Sequence, residues 1–306
     1  LKIFFHKNIV LIIAIMLITL GLTACTTSTN KEELDDKGGL FWKVEKNGTT
    51  VYMLGSIHYA TEDYYPLHPE IETAFSKSDY LVVESNVLNQ KASRKPLYDD
   101  ETSLQDHLPE ELYEDLQEKL NTLGISIRQV ERYKPWYVDK LIQDVSLHRI
   151  GEEFSLGIDM HFLEKSTDKE IIELEGSEFH INMFDNFSES LQIALLEDTV
   201  ETELEEYRQS SNEFKTIWEN GDLGELEEIS FALLEDDEHQ EEYDEFIDKM
   251  ITQRNIRMVE KIEEFLDSDA QTYFFVVGAG HYPGDIGIIH LLEEQGYDVT
   301  RLIHEV

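Results

Sequence analysis

The chain has 306 residues, of which 65 are acidic and 25 basic, giving a formal net charge of −40. A body so negative repels phosphate backbones and anionic lipid headgroups, which excludes nucleic acid as a partner and direct adhesion to a charged bilayer. Its apolar share of 41% is enough to bury the core of one large domain or two small ones.

The first element in the chain is an export signal. Lys2 and Lys7 precede an apolar run from Ile9 to Leu20, which is too short to favour a stable span and has no stop-transfer charges after it. Leu22-Thr23-Ala24-Cys25 follows, with small residues leading to the only cysteine of the chain. This segment resembles a bacterial lipobox, in which Cys25 is lipidated and becomes the mature N-terminus. Lipidation would also explain an exported chain with one cysteine and no disulfide partner. The expected organisation is a signal peptide over 1–24, a lipidated cysteine and flexible tether over 25–39, and a folded domain over 40–306. Two or more acyl chains would hold the protein on the extracytoplasmic face of a cell membrane.

The folded part opens with two strand-like runs, Phe41 to Val44 and Thr50 to Leu54, around an Asn47-Gly48 hairpin signal. The second run ends in Gly55-Ser56-Ile57-His58-Tyr59. His68 to Lys77 has helical spacing, with Ile71, Ala74 and Phe75 on one face. Tyr80 to Val83 reads as a buried strand delivering Glu84. Amphipathic helices are predicted over Pro109 to Leu123 and Pro135 to Ile150, the latter with proline at its first position. A further helix opens at Gly157-Ile158-Asp159 and includes Phe162, and a strand over Glu170 to Leu174 delivers Glu175. Asn186 to Arg208 and Tyr243 to Leu266 read as long acidic helices. The chain closes with a strand over Thr272 to Val277, the turn Gly278-Ala279-Gly280-His281-Tyr282, a helix over Asp285 to Gln295 and a strand over Asp298 to Ile303. The expected fold is α/β: strand–Gly-x-x-His–helix units from both ends of the chain form two halves of one sheet, with a large helical insertion between them.

The repeated strand–Gly-x-x-His pattern is the strongest chemical signal. Composition alone would give roughly 0.6 such matches, so one copy is uninformative and two matched copies are not. Ligands collect at the carboxyl ends of strands in open α/β sheets. His58 and His281 placed there are candidate metal ligands or bases. Glu84, a carboxylate after four apolar residues, needs a partner or a metal if it is buried. Glu175 stands in a similar position. Asp159 is either a ligand or the N-cap of the helix it opens. Arg254 either pairs with neighbouring glutamates or orients a carboxylate bidentately. His-Glu-x-x-His, Gly-x-Ser-x-Gly, Walker A and Cys-x-x-Cys motifs are all missing from the sequence.

In these residues the chain resembles the TraB/GumN family, which includes the TIKI metalloproteases. The resemblance rests on Gly55 to His58, Glu84, Lys134-Pro135-Trp136, Gly157-x-Asp159-x-x-Phe162, Arg254-Asn255 and Gly278 to Gly284 with Gly287. It departs from the family pattern at Tyr59, where an apolar residue such as leucine is expected. The resemblance implies an α/β fold related to the erythromycin-esterase and ChaN-like proteins. It also implies divalent-metal-dependent peptide hydrolysis, with Mn or Co favoured over Zn. The metal would be held by His58, Glu84 and His281, with Asp159 or Glu175 as a further ligand. Glu84 or Glu175 would be the base, and Arg254 would orient it or hold the oxyanion. Two other readings stand beside this one. In the first, a metal-free esterase-like hydrolase uses His58 and Glu84. In the second, a haem- or iron-binding lipoprotein uses His58, Tyr59, His281 or Tyr282. The substrate, a peptide or small molecule, stays open.

Overall fold

A computed structural model describes residues 39–89, 95–231 and 239–303. The signal peptide, Cys25 and nearly all of the tether lie outside the described residues. Six strands form one mixed sheet: β1 (Phe41–Lys46), β2 (Thr49–Ser56), β3 (Tyr80–Val83), β4 (Glu170–Glu173), β5 (Thr272–Gly278) and β6 (Val299–Arg301). Their spatial order is β4-β3-β5-β2-β1-β6. β4, β3, β5 and β2 run parallel, and β1 is antiparallel to both β2 and β6. The hairpin between β1 and β2 turns on Asn47 and Gly48, both left-handed at φ 53° and 88°, which matches the twist of the flanking strands. The apolar runs of β3 and β5 are buried through the sheet centre, as expected of parallel strands covered on both faces.

The helices are α1 (Pro69–Lys77), α2 (Glu110–Leu123), α3 (Pro135–Ile150), α4 (Ile158–Lys165), α5 (Ser177–Asp185), α6 (Glu189–Glu201), α7 (Leu204–Asn220), α8 (Leu223–Phe231), α9 (Gln240–Ile247), α10 (Gln253–Leu266) and α11 (Ile288–Glu294), besides single-turn pieces. Phe75 of α1 and Phe162 of α4 pack on Phe274, while Phe265 of α10 stacks on Tyr273. Adjacent strand residues point to opposite faces, so the helices cover both sides of the sheet. Leu112, Leu116 and Leu120 of α2 pack with Val138 and Ile142 of α3 and Leu196 of α6 in a separate apolar cluster. Among the described residues no helix is long and apolar enough to cross a membrane.

Three expectations are corrected. The two ends of the chain do not form two halves of the sheet: they interleave, because β5 from the C-terminal end inserts between β2 and β3. The predicted helix over 186–208 is two helices. Thr202 and Glu203 are extended, and the Thr202 hydroxyl donates to the Asp198 carbonyl at 2.7 Å, competing with the helical ladder. The predicted helix over 243–266 starts at Gln240 and carries a π turn at Asp248–Thr252 before α10.

The helical insertion buries acid. Asp198 accepts from Tyr243 Oη at 2.8 Å, and burial, helped by Asp139 and nearby glutamates, pushes its carboxyl up to about 8. Burial likewise pushes Asp139 up to about 6. A carboxyl raised in the folded state binds its proton more tightly there than in the unfolded chain. Its contribution is therefore complete below the ordinary carboxylate range and is lost as pH rises through about 6 and then 8. Urea midpoints should accordingly fall between mildly acidic and mildly alkaline pH. Asp198→Asn should flatten the alkaline part of that slope; an unchanged slope would contradict the assignment.

Candidate functional site

The interleaved topology brings the sequence-predicted residues to one edge. β2, β5 and β3 are neighbours whose carboxyl ends are level, with Ser56 opposite Gly278 and Val83 opposite Val276. The chain leaving these strands carries His58, His281 and Glu84. Glu175 follows β4, and the backbone N–H groups of Glu175 and Gly176 both donate to the Glu84 carbonyl, at 3.1 and 3.0 Å.

Glu84 joins the two parts of the site. Its Oε1 accepts from the Gly278 N–H at 2.6 Å and lies 3.8 Å from His281 Nε2. Its Oε2 accepts from Arg254 Nη2. Arg254 is 0% exposed and also donates to both oxygens of Glu175, from Nε at 2.9 and 3.1 Å and from Nη2 at 2.8 Å. Its Nη1 donates to the Met250 carbonyl at 3.0 Å, inside the π turn. Burial alone would raise the Glu84 carboxyl. Arg254, with His281 and His58, outweighs it and holds the group down at about 2. Glu175 is held still lower by the same guanidinium and by His180.

His180, on the first turn of α5, was not singled out by the sequence. Its Nε2 lies 2.8 Å from Glu175 Oε2 and 3.4 Å from Arg254 Nη2. The two hydrogens of Nη2 already go to Glu84 and Glu175, so His180 Nε2 is the donor to Glu175. A Glu-x-x-x-x-His spacing across a glycine turn is the one signal that could have marked it, and it is too common to do so.

The second part of the site is the His58 turn. His58 Nδ1 lies 2.5 Å from Asp159 Oδ2, and Asp159 Oδ1 accepts from Ser56 Oγ at 2.5 Å. Asp159 is therefore not the cap of α4; Gly157 occupies that position, and Asp159 stands behind the imidazole. Burial presses the His58 pKa down, but the charge and hydrogen bond of Asp159, with Glu84, carry it above the ordinary histidine value. The turn is closed by Gly157. A Cβ there would lie 2.3 Å from the His58 carbonyl oxygen, and the Ile158 N–H donates to the Ile57 carbonyl at 2.8 Å. His281 is 0% exposed, and its Nε2 has no hydrogen-bond partner. Burial, reinforced by Arg254, pushes its pKa down to about 4, so it is neutral near pH 7.

Two positions in this site offer metal ligands, and they share Glu84. Glu84, Glu175 and His180 present atoms within 4.8 Å of one another and could hold a metal ion. The Arg254 guanidinium already binds both of these carboxylates and approaches His180, so a divalent cation there would face a buried positive charge at contact distance. On the other side of Glu84, Oε1 lies 3.8 Å from the bare Nε2 of His281. That side presents two donor atoms free of the guanidinium.

The family model for the TraB/PrgY/gumN family matches residues 40–301. This chain belongs to that family. The YbaP protein of Escherichia coli strain K12 is 29% identical over 151 residues, which is 49% of this chain and 56% of YbaP. A metalloprotease TIKI homolog of Amphimedon queenslandica is 37% identical over 57 residues, 18% of this chain and 11% of the relative. Metalloprotease TIKI2 of Danio rerio is 29% identical over 117 residues, 37% of this chain and 23% of the relative. The chain thus spans about half the length of YbaP and much less of the TIKI proteins. No solved structure matches it.

Within this family frame Arg254 is the residue most exposed to test. Arg254→Met would take the buried guanidinium away from both Glu84 and Glu175 and should cost about 3–5 kcal/mol, read by urea unfolding at neutral pH. Gly157→Ala should lower stability by about 1–3 kcal/mol by displacing the His58 carbonyl, read in the same way. Wild-type midpoints in both variants would contradict the geometry described.

Proposed function

We propose that this chain is a divalent-metal-dependent hydrolase of peptidase-like chemistry, tethered by lipidated Cys25 to the extracytoplasmic face of a cell membrane. The observation that carries the hydrolase reading is the bare, buried Nε2 of His281, 3.8 Å from the Glu84 carboxylate. A buried nitrogen without a donor is costly unless something fills its lone pair. Neutral imidazole beside an ionised carboxylate is a donor set that suits a first-row divalent ion. Membership of the TraB/PrgY/gumN family and the TIKI relatives support the same reading. An α/β fold akin to the erythromycin-esterase and ChaN-like proteins belongs to it as well.

His58, Glu84 and His281 would hold the metal, with Mn or Co ahead of Zn on the family resemblance. When bound, such an ion supplies Lewis-acid activation of a water molecule and of the scissile carbonyl. The chain's own residues do the rest. Arg254 keeps Glu84 ionised, the state a ligand requires. Asp159 holds His58 through Nδ1, which leaves Nε2 as the nitrogen for a ligand bond. Glu175 is clamped by Arg254 and His180 and held far below the ordinary carboxylate range, so it serves better as a brace for Arg254 than as a proton acceptor. The substrate on this reading is a peptide or a small molecule with a hydrolysable carbonyl.

One observation favours a second reading. The Asp159-backed His58, its pKa raised by that carboxylate, has the arrangement of a general base, as a metal-free esterase-like hydrolase would need. The haem or iron reading gains nothing from the tyrosines. Tyr59 Oη donates to Asp144 at 2.8 Å, and Tyr282 is 1% exposed with its ring stacked on Trp42.

Metal content by mass spectrometry, after matched loading with Mn, Co and Zn, separates the two hydrolase readings. The wild type should bind close to stoichiometric metal, and the folded His58→Ala, His281→Ala double variant should bind none. Equal content in both would sink the metal site, and hydrolysis insensitive to chelators would then favour the His58 base.

A further inference from the structure

We propose that Asn255 is a positioning residue that fixes His281 in one tautomer, with the proton on Nδ1 and the lone pair on Nε2. The consequence for metal binding rests on the function proposed above; the tautomer itself does not.

Asn255 is 0% exposed, at the start of α10. Its Nδ2 donates to the carbonyls of His281, at 3.1 Å, and Ile286, at 2.7 Å. Both partners are acceptors only, so the amide cannot be flipped without setting oxygen against two carbonyl oxygens. Its Oδ1 is therefore the atom that faces His281 Nδ1, at 2.6 Å. A carbonyl oxygen only accepts, so Nδ1 carries the proton. A neutral imidazole has one N–H, which leaves Nε2 bare, buried and 3.8 Å from Glu84 Oε1.

The placement of Asn255 is set by the chain just before it. The π turn at Asp248–Thr252 precedes Arg254 and Asn255, and Arg254 Nη1 is tied to the Met250 carbonyl within that turn. Consecutive helical residues diverge by about 100°. Arg254 accordingly reaches Glu84 and Glu175 while Asn255 reaches His281 and the 281–286 loop. One pair of adjacent residues thus sets the charge of Glu84 and the protonation pattern of His281.

The test is long-range proton–nitrogen NMR of imidazole-labelled protein at neutral pH without added metal. His281 is assigned by its loss in His281→Gln. The wild type should show Nδ1 protonated and Nε2 bare. Asn255→Ala, which removes the acceptor, should give a mixture of tautomers. Cobalt affinity, read from the ligand-field absorption, should fall about 10–100-fold in Asn255→Ala. A proton on Nε2 in the wild type, or an unchanged tautomer in folded Asn255→Ala, would overturn the proposal. A wild type that shows the Nδ1–H form yet binds no cobalt would uphold the tautomer and defeat the metal reading instead.

Discussion

The buried guanidinium of Arg254 is the interaction on which the site depends. Two carboxylates, Glu84 and Glu175, lie at the ends of adjacent parallel strands with side chains about 6% and 5% exposed. Neither would stay ionised there alone, because burial pushes a carboxyl toward its neutral form. Arg254 binds both, and its planar fork satisfies Glu175 through two nitrogens, which a lysine would not do. Arg257 Nη2 also lies 4.0 Å from Glu175 Oε1, so Glu175 has two guanidiniums beside it and Glu84 shares one.

The sheet explains why these groups meet at all. Parallel strands present their carboxyl ends on one edge, and three consecutive positions in the sheet, β3, β5 and β2, each release a polar residue there. The backbone closes tightly around that edge. Gly157 leaves no room for a side chain against the His58 carbonyl, and Glu84 is anchored by the Gly278 N–H as well as by Arg254. Each imidazole is fixed through one nitrogen: His58 by Asp159, His281 by Asn255 and His180 by Glu175. Side chains anchored in this way lose little further entropy when a ligand arrives, which is what preorganisation means physically.

The acidity of the chain has two different origins in the structure. Most of it is solvated surface, as the composition suggests. A smaller part is buried in the helical insertion, where Asp139 accepts from Thr199 and Gln143, and Asp144 from Tyr59. Lys140 is buried among them, and burial pulls its pKa down to about 8. Tyr59, the residue at which the chain departs from the family pattern, ties the His58 turn to α3 through Asp144. The insertion is therefore bonded to the site and not merely appended to the sheet.

The sequence by itself determined what depends on near neighbours. Asn47-Gly48 specified a hairpin, alternating and continuous apolar runs specified strands and helices, and two Gly-x-x-His turns with Glu84 marked the ends that carry chemistry. Those signals are local, arising from backbone sterics and hydrophobic period. The breaks in regularity were less legible: Thr202 ended a helix that its period would have continued, through a hydroxyl bond to its own backbone. Tertiary structure alone decided the insertion of β5 between β2 and β3, which carboxylates Arg254 binds, and the recruitment of His180 and Asn255. Strand pairing across some two hundred residues and the orientation of a single amide leave no periodic trace in the chain, because both are settled only when distant groups compete for the same few donors and acceptors.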